Sequence, residues 1–164
     1  MNESCRLDIN YICRTLLVNY ALNFLEGGED LRGRTLDQIL AMDDHWIEHK
    51  HDFIQWLFPL DVPSGSNKFA PILLIDEILA IAASEKAQLS LKKGVRRMKE
   101  FYTSNDHWIR CYDHNHLRIT RIIKSLKLLS TEKEANDFKE WLVYRLGDQR
   151  LSISTKSLNF WNEA

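Results

Sequence analysis

The sequence predicts an all-α fold, a single compact domain of about seven helices with a long loop near residues 59–72. Apolar residues recur at three- and four-residue steps along most of the chain, which is the helical period. Strand-like alternation is almost absent, with Leu151 to Ile153 the only short candidate. Capping residues stand where the apolar runs begin, and glycine or proline stands where they end. Glycine and proline number 9 of 164 residues and hydrophobic residues make 45%, which excludes a disordered or collagen-like chain. A chain this long buries roughly two-thirds of its unfolded surface. It leaves no room for a separate cofactor domain.

The elements follow in order. Ile9, Ile12, Leu16, Tyr20 and Phe24 form one apolar stripe of a first helix, which Gly27 and Gly28 end. Glu26 to Arg34 is charged and glycine-containing and reads as a loop. Thr35 with Gln38 fits a capping box ahead of Ile39, Leu40 and Met42. Asp43 and Asp44 offer caps for a helical stretch, in one piece or two, that runs to Phe58 and stops at Pro59. Pro63, Ser64, Gly65 and Ser66 mark the long loop. A short helix covers about Ile75 to Ala83. Ser84 caps the next, which reaches about Tyr102. Thr103 to Asp113 is a connector carrying Trp108. Asp113 or Asn115 caps a helix through Leu129, and Thr131 with Glu134 forms a second capping box before a helix that Gly147 ends. The tail is weakly periodic, with Phe160 and Trp161 expected to pin it to the core.

No apolar run reaches the roughly 18 residues that cross a bilayer. The nearest, Ala70 to Ala83, is broken by Asp76 and Glu77. The first residues lack a basic region followed by an apolar core, and Cys5, Cys13 and Cys111 lack C-x-x-C spacing. A soluble, cytoplasmic protein without a disulfide framework is expected.

The net charge of -1 conceals a division. Residues 1–85 carry 6 basic and 14 acidic side chains, residues 86–127 carry 11 and 3, and residues 128–164 carry 5 and 6. In the helix near 86–102, Lys86, Lys92, Lys93, Arg96, Arg97 and Lys99 lie opposite Ala87, Leu91, Gly94, Val95, Met98, Phe101 and Tyr102. Gly94 on the apolar side predicts that another helix packs close there. Near 116–129, Arg118, Arg121, Lys124 and Lys127 lie away from Ile119, Ile122, Leu126 and Leu129. A solvated face balanced by the acidic half is the plain reading. An anion-binding surface is the sharper one, but aromatic residues are not interleaved with the lysines, and no nucleic-acid motif accompanies them.

Three polar motifs stand out. His45, Glu48 and His49 spell H-x-x-E-H, which on a helix can hold zinc. A third ligand is unassigned and six histidines make chance matches common, so no metal or cofactor is expected. His51, Asp52, Gln55 and Trp56 make either a core helix with satisfied polar groups or a pocket wall. Asp113, His114, Asn115 and His116 make either a helix cap or the other side of that pocket, with Arg118 and Arg121 following. Both clusters pair His with Asp, yet no Ser or Cys nucleophile is marked as a partner.

These residues also carry a resemblance. F-L-E-G-G-E-D-L-R-G-R-T-L-D-Q-I-L from Phe24, H-D-F-I-Q-W-L-F-P-L from His51, Phe101-Tyr102, D-H-N-H-L-R-I-T-R-I-I-K-S-L-K-L-L from Asp113 and S-L-N-F-W from Ser157 resemble the opioid growth factor receptor conserved domain, over about residues 20–164. Phe53 stands where tyrosine is usual and Thr103 where glycine is common, and His45 and His49 lie outside the pattern. The resemblance implies a helical domain and receptor-like peptide binding. Animal members bind the pentapeptide Met-enkephalin and restrain growth from the nuclear region. It also implies a membrane association, which no stretch here supports physically, and it supplies no catalytic residues.

The expectation is therefore a non-enzymatic module binding a peptide or small anionic ligand. Its groove would use His51, Asp52, Gln55 and Trp56 against Asp113, His114, Asn115, His116, Arg118 and Arg121. Arginine forks suit a carboxylate or phosphate. On this reading Arg118→Ala and Arg121→Ala weaken binding and leave stability nearly intact. The alternatives are nucleic-acid or other polyanion binding through Lys92, Lys93, Arg96, Arg97, Lys124 and Lys127 with the two arginines, and a hydrolase with a histidine–carboxylate or metal site.

Overall fold

The computed structural model describes residues 20–164. The stripe through Ile9, Ile12 and Leu16 lies outside the described residues. The rest is all-α: α1 (Tyr20–Leu25), α2 (Leu36–Leu40), α3 (Asp44–His49), α4 (Ile54–Leu57), α5 (Ile75–Ala83), α6 (Glu85–Ser104), α7 (His114–Leu129), α8 (Glu132–Leu146) and α9 (Thr155–Glu163). A 3-10 turn, Gly147–Ser152, joins the last two. α7 packs on α8, α9 and α5, while α6 packs on α1, α2, α4 and α5. The core between these layers holds Phe24, Phe53, Phe58, Phe101, Tyr102, Trp108, Ile119, Ile122 and Leu142.

The caps explain most boundaries. Thr35 and Gln38 close the predicted box reciprocally. Asp43, Ser84, Asp113, Thr131 and Ser154 each accept a backbone N–H at the start of the following helix. Thr131 makes only half of its predicted box, because the Glu134 carboxylate turns to Ser130 and Lys92. Gly147 ends α8 with φ +47, a conformation that favours glycine.

One finding chooses between the sequence alternatives, and two differ from the sequence expectations. The stretch to Phe58 is two short helices, because Lys50 leaves helical backbone with ψ 133 and its carbonyl turns to Arg118. The strand candidate Leu151 to Ile153 lies in the 3-10 turn and its exit. The tail is a nine-residue helix capped by Ser154, and Trp161 alone of its two aromatics is buried. At Gly94 the close neighbour is Phe58, just past α4: a Cβ there would stand 3.2 Å from Phe58 Cζ. The long loop is clipped at its ends by an isolated bridge between Leu60 and Ile72, and Ser125 Oγ donates to the Pro59 carbonyl at 3.0 Å. That clip sets Ser66 beside α4 and α7.

Candidate functional site

The N-terminal half of α7 and the α3–α4 junction build the site. α7 starts at His114 because Asp113, in extended backbone, accepts the Asn115 N–H at 2.9 Å. The same carboxylate accepts Asn115 Nδ2 at 2.9 Å and Arg110 Nε at 2.8 Å. Burial pushes the Asp113 carboxyl up, and the bonds from Asn115 and Arg110 more than reverse that, holding it below the usual range. Fully buried Asn115 is a bridge. Its Nδ2 also donates to Glu48 Oε2 at 3.1 Å, and its Oδ1 accepts Arg118 Nη1 at 3.0 Å. Glu48 Oε2 also lies 3.0 Å from His107 Nε2. Burial raises Glu48 too, and Asn115, His107 and the nearby His114 outweigh it, so this carboxyl also titrates low.

Arg118 is 4% exposed. Its guanidinium donates to the carbonyls of Glu48 at 3.2 Å and Lys50 at 2.7 Å, and lies over the Phe53 ring with its carbon 5.5 Å from the centroid. A fourth contact reaches His51 Nδ1 at 3.2 Å. Arginine only donates, so His51 Nδ1 accepts and His51 is neutral. Arg121, one turn on, donates Nη1 to the Phe58 carbonyl at 3.0 Å. Burial draws both guanidiniums below their ordinary value. Neither has a carboxylate within ion-pair distance among the described residues.

His51, Gln55, His114, Arg118 and Arg121 line one cavity of about 140 Å³, joined by Ser66 and Leu117. Two polar atoms in its lining residues lack a hydrogen-bond partner among the described residues: Gln55 Oε1 and His114 Nε2. His114 Nε2 lies 3.5 Å from Glu48 Oε1, close enough for attraction but without hydrogen-bond geometry.

The other predicted pocket residues go elsewhere. Asp52 pairs with Arg34 at 3.2 Å and with Arg32, beside a separate cavity that also holds Trp56. Trp56 is buried edge-on against Phe24. Asp113 and Asn115 form the bonds that hold the cavity wall. His116 Nε2 faces the Trp108 carbonyl at 3.0 Å and therefore carries the proton, leaving Nδ1 to accept from Ser157 Oγ at 2.9 Å. That pair pins α9 to α7, and the second nitrogen meets a carbonyl rather than a carboxylate. The structure thus gives Arg118 a bonding role that the expectation of near-intact stability for Arg118→Ala leaves out.

Leu117 and Ser66 were not among the predicted residues. Leu117 had a signal: an apolar residue off the stripe of Ile119, Ile122 and Leu126, and it is exposed. Ser66 had none, since its place depends on how the loop is clipped.

The basic faces are largely neutralised. Lys93 meets Asp37 at 3.1 Å, Arg97 meets Asp44 at 2.7 Å, Lys92 meets Glu134 at 3.2 Å, Lys127 meets Glu132 at 3.4 Å and Arg96 meets Glu100 at 3.9 Å. Lys124 is exposed. A groove of about 550 Å³ between α6 and α8 interleaves Lys92, Arg96 and Lys99 with Glu100, Glu134 and Asp137. This pairing weakens the polyanion reading. The H-x-x-E-H residues do not converge: His45 and His49 stack at 4.2 Å, His49 Nδ1 donates to the His45 carbonyl, and Glu48 faces α7. Among the described residues no group of three or more His, Cys, Asp or Glu side chains is arranged to hold a metal ion. Among the same residues no helix is long and apolar enough to cross a membrane.

His51, His114 and His116 all titrate below the ordinary histidine value, in each case first because of burial; the Arg118 charge adds to this at His51 and His114. Unfolded, they would take up protons near pH 6.5. The stability they contribute is complete above that value and is lost as pH falls through it toward their folded values. Glu48 and Asp113 add their own losses only in the carboxylate range. The urea midpoint should therefore drop between about pH 7.5 and about pH 5.5, before Glu48 or Asp113 titrates. An unchanged midpoint would show that the histidines are not held neutral by the fold.

Comparison with known proteins supports the sequence resemblance. The profile of the opioid growth factor receptor conserved region matches residues 28–163. The opioid growth factor receptor of Rattus norvegicus is 34% identical over 104 residues, covering 52% of this chain and 18% of that protein. The Homo sapiens protein of that name is 34% identical over 107 residues, covering 52% and 15%. Opioid growth factor receptor-like protein 1 of Mus musculus is 31% identical over 115 residues, covering 60% and 25%. The match therefore spans a quarter or less of these relatives' length. No solved structure matches the chain.

Proposed function

The chain belongs to the opioid growth factor receptor conserved region family, and from that membership and the α4–α7 cavity we propose that it is a non-enzymatic binding module for a peptide or small anionic ligand. The observation that carries the reading is the pair Arg118 and Arg121. They are cations drawn out of water at one cavity, with no carboxylate in ion-pair contact with either among the described residues; Arg121 has no charged neighbour to offset its burial, and Glu48 and Asp113 reach Arg118 only through Asn115. Burying charge without an opposite charge is costly, and a bound carboxylate or phosphate offsets that cost with forked, charge-assisted hydrogen bonds. His51, whose Nδ1 accepts from Arg118, carries its proton on Nε2 and has that N–H to offer a bound anion. The relatives' names describe receptors, which accords with a binding role.

The test is calorimetric titration with Met-enkephalin as the free acid and as its C-terminal amide. The free acid should bind and the amide should bind at least about tenfold more weakly, a difference of about 1.4 kcal/mol. Arg121→Gln should lose roughly tenfold to a hundredfold in affinity for the acid. It breaks only the bond to the Phe58 carbonyl, so its thermal midpoint should move by about 3 °C or less. Equal affinities of acid and amide, or an Arg121→Gln protein that binds normally, would remove the anion site.

A further inference from the structure

We propose that the site has a second, apolar compartment, and that it reads a free carboxylate together with the large apolar side chain on the same carbon, as presented by a peptide C-terminus or an N-acyl amino acid. The inference rests on the binding reading above and adds the ligand class. His114 and Leu117 stand in the walls of two cavities, the one that holds the arginines and a neighbour of about 500 Å³ against α9. The larger one is edged by Tyr112, Leu117 and Phe160, exposed by 71%, 66% and 43%. Scattered exposed apolar residues need no explanation, but three around one hollow that opens beside two buried arginines with no ion-paired carboxylate among the described residues do.

The spacing on α7 fits one ligand. His114, Leu117, Arg118 and Arg121 are at i, i+3, i+4 and i+7, so they share one helix face. At about 1.5 Å per residue, the midpoint of the first two lies about 6 Å along the axis from the midpoint of the arginines. That is the reach from a carboxylate to the end of a phenylalanine or leucine side chain on the same carbon. Gln55 Oε1, buried and unpartnered among the described residues, needs a donor. The amide N–H next to such a carboxylate supplies one, whereas a bare acetate at neutral pH does not. Arg110 and Lys156 also border the larger hollow, but Arg110 is already paired with Asp113 and Lys156 lies over the Phe160 ring. Charge thus points to the smaller cavity for the anion and apolar area to the larger for the side chain.

The experiment follows protein resonances by NMR while N-acetylglycine, N-acetylphenylalanine and N-acetylphenylalaninamide are added to wild-type protein and to Phe160→Ala and Leu117→Ser. Both substituted side chains are exposed, so the variants should fold. N-acetylphenylalanine should bind at least about tenfold more tightly than N-acetylglycine, and the amide more weakly than its acid. Each variant should shrink the phenylalanine advantage, and Phe160→Ala, which lies outside the anion cavity, should leave N-acetylglycine unchanged. Equal binding of the two acids would overturn the second compartment while the anion site stands. A phenylalanine advantage that survives both variants would overturn its placement. No binding of either acid would overturn both readings.

Discussion

Arg118→Ala should lower the unfolding free energy by about 2–4 kcal/mol, read from urea unfolding at neutral pH. The guanidinium holds the carbonyls of Glu48 and Lys50, the Asn115 side chain and His51, and covers the Phe53 ring. Alanine would strand two carbonyls at the end of α3 and one side-chain oxygen. Each stranded buried acceptor costs about 1–3 kcal/mol. Two effects hold the total below their sum. The cation's own desolvation is relieved, and the adjoining cavity lets water reach some of the freed groups. Arg118→Lys should lose nearly as much, because one ammonium cannot fork across both carbonyls while also reaching Asn115. A loss under about 1 kcal/mol would show that α3 ends where it does for other reasons. The contrast with Arg121 is the useful part. Arg121 holds a single carbonyl, so an affinity change there reports on the ligand, whereas at Arg118 it is mixed with refolding of the α3–α4 junction.

That junction also shows what the sequence could tell and what it could not. The helical period, the Thr35–Gln38 box, the Ser84 cap and the stop at Gly147 are local, set by residues within four positions of each other, and each reappears in the structure. The break between α3 and α4 is not local. It depends on a side chain 68 residues away taking the Lys50 carbonyl. How the acidic half balances the basic faces is set over the same long range. Lys93 and Arg97 face outward from their own helix, yet Asp37 and Asp44 of the acidic half come to meet them. A face that looks like an open basic surface one helix at a time is an intramolecular seam in three dimensions. The signature motifs divided along a similar line. Asp113, Asn115 and His116 knit helices together, while His51, Gln55, His114 and Arg121 line the cavity, and Arg118 does both. Polarity alone could not separate the two jobs, because both require hydrogen-bonding side chains at a helix start.

Trp108 lies in a stretch that carries no helical pattern, and its replacement should have the other large effect. Trp108→Ala should cost about 3–5 kcal/mol. The ring is fully buried, edge-on to Tyr102 at 5.1 Å between centroids, and its Nε1–H reaches the Asn105 carbonyl at 2.7 Å and the Tyr102 carbonyl at 3.3 Å. These contacts fasten the connector to the end of α6. Two further bonds depend on that fastening: His107 to Glu48, and the Trp108 carbonyl to His116. Trp108→Phe separates the contributions. It refills most of the apolar volume but gives up the N–H, so it should cost about 1–2 kcal/mol and keep the connector in place. In that variant the backbone carbonyl still holds His116 in its tautomer and the cavity wall stays intact, so ligand affinity should match the wild type. In Trp108→Ala the collapse around the void should shift the connector, release Glu48 from His107 and weaken binding from a distance of several side chains. If alanine and phenylalanine cost the same, the indole N–H and not its bulk holds the connector. If both leave binding unchanged, Glu48 and Asn115 position the wall without help from the connector, and the coupling between core and cavity runs through Arg118 alone.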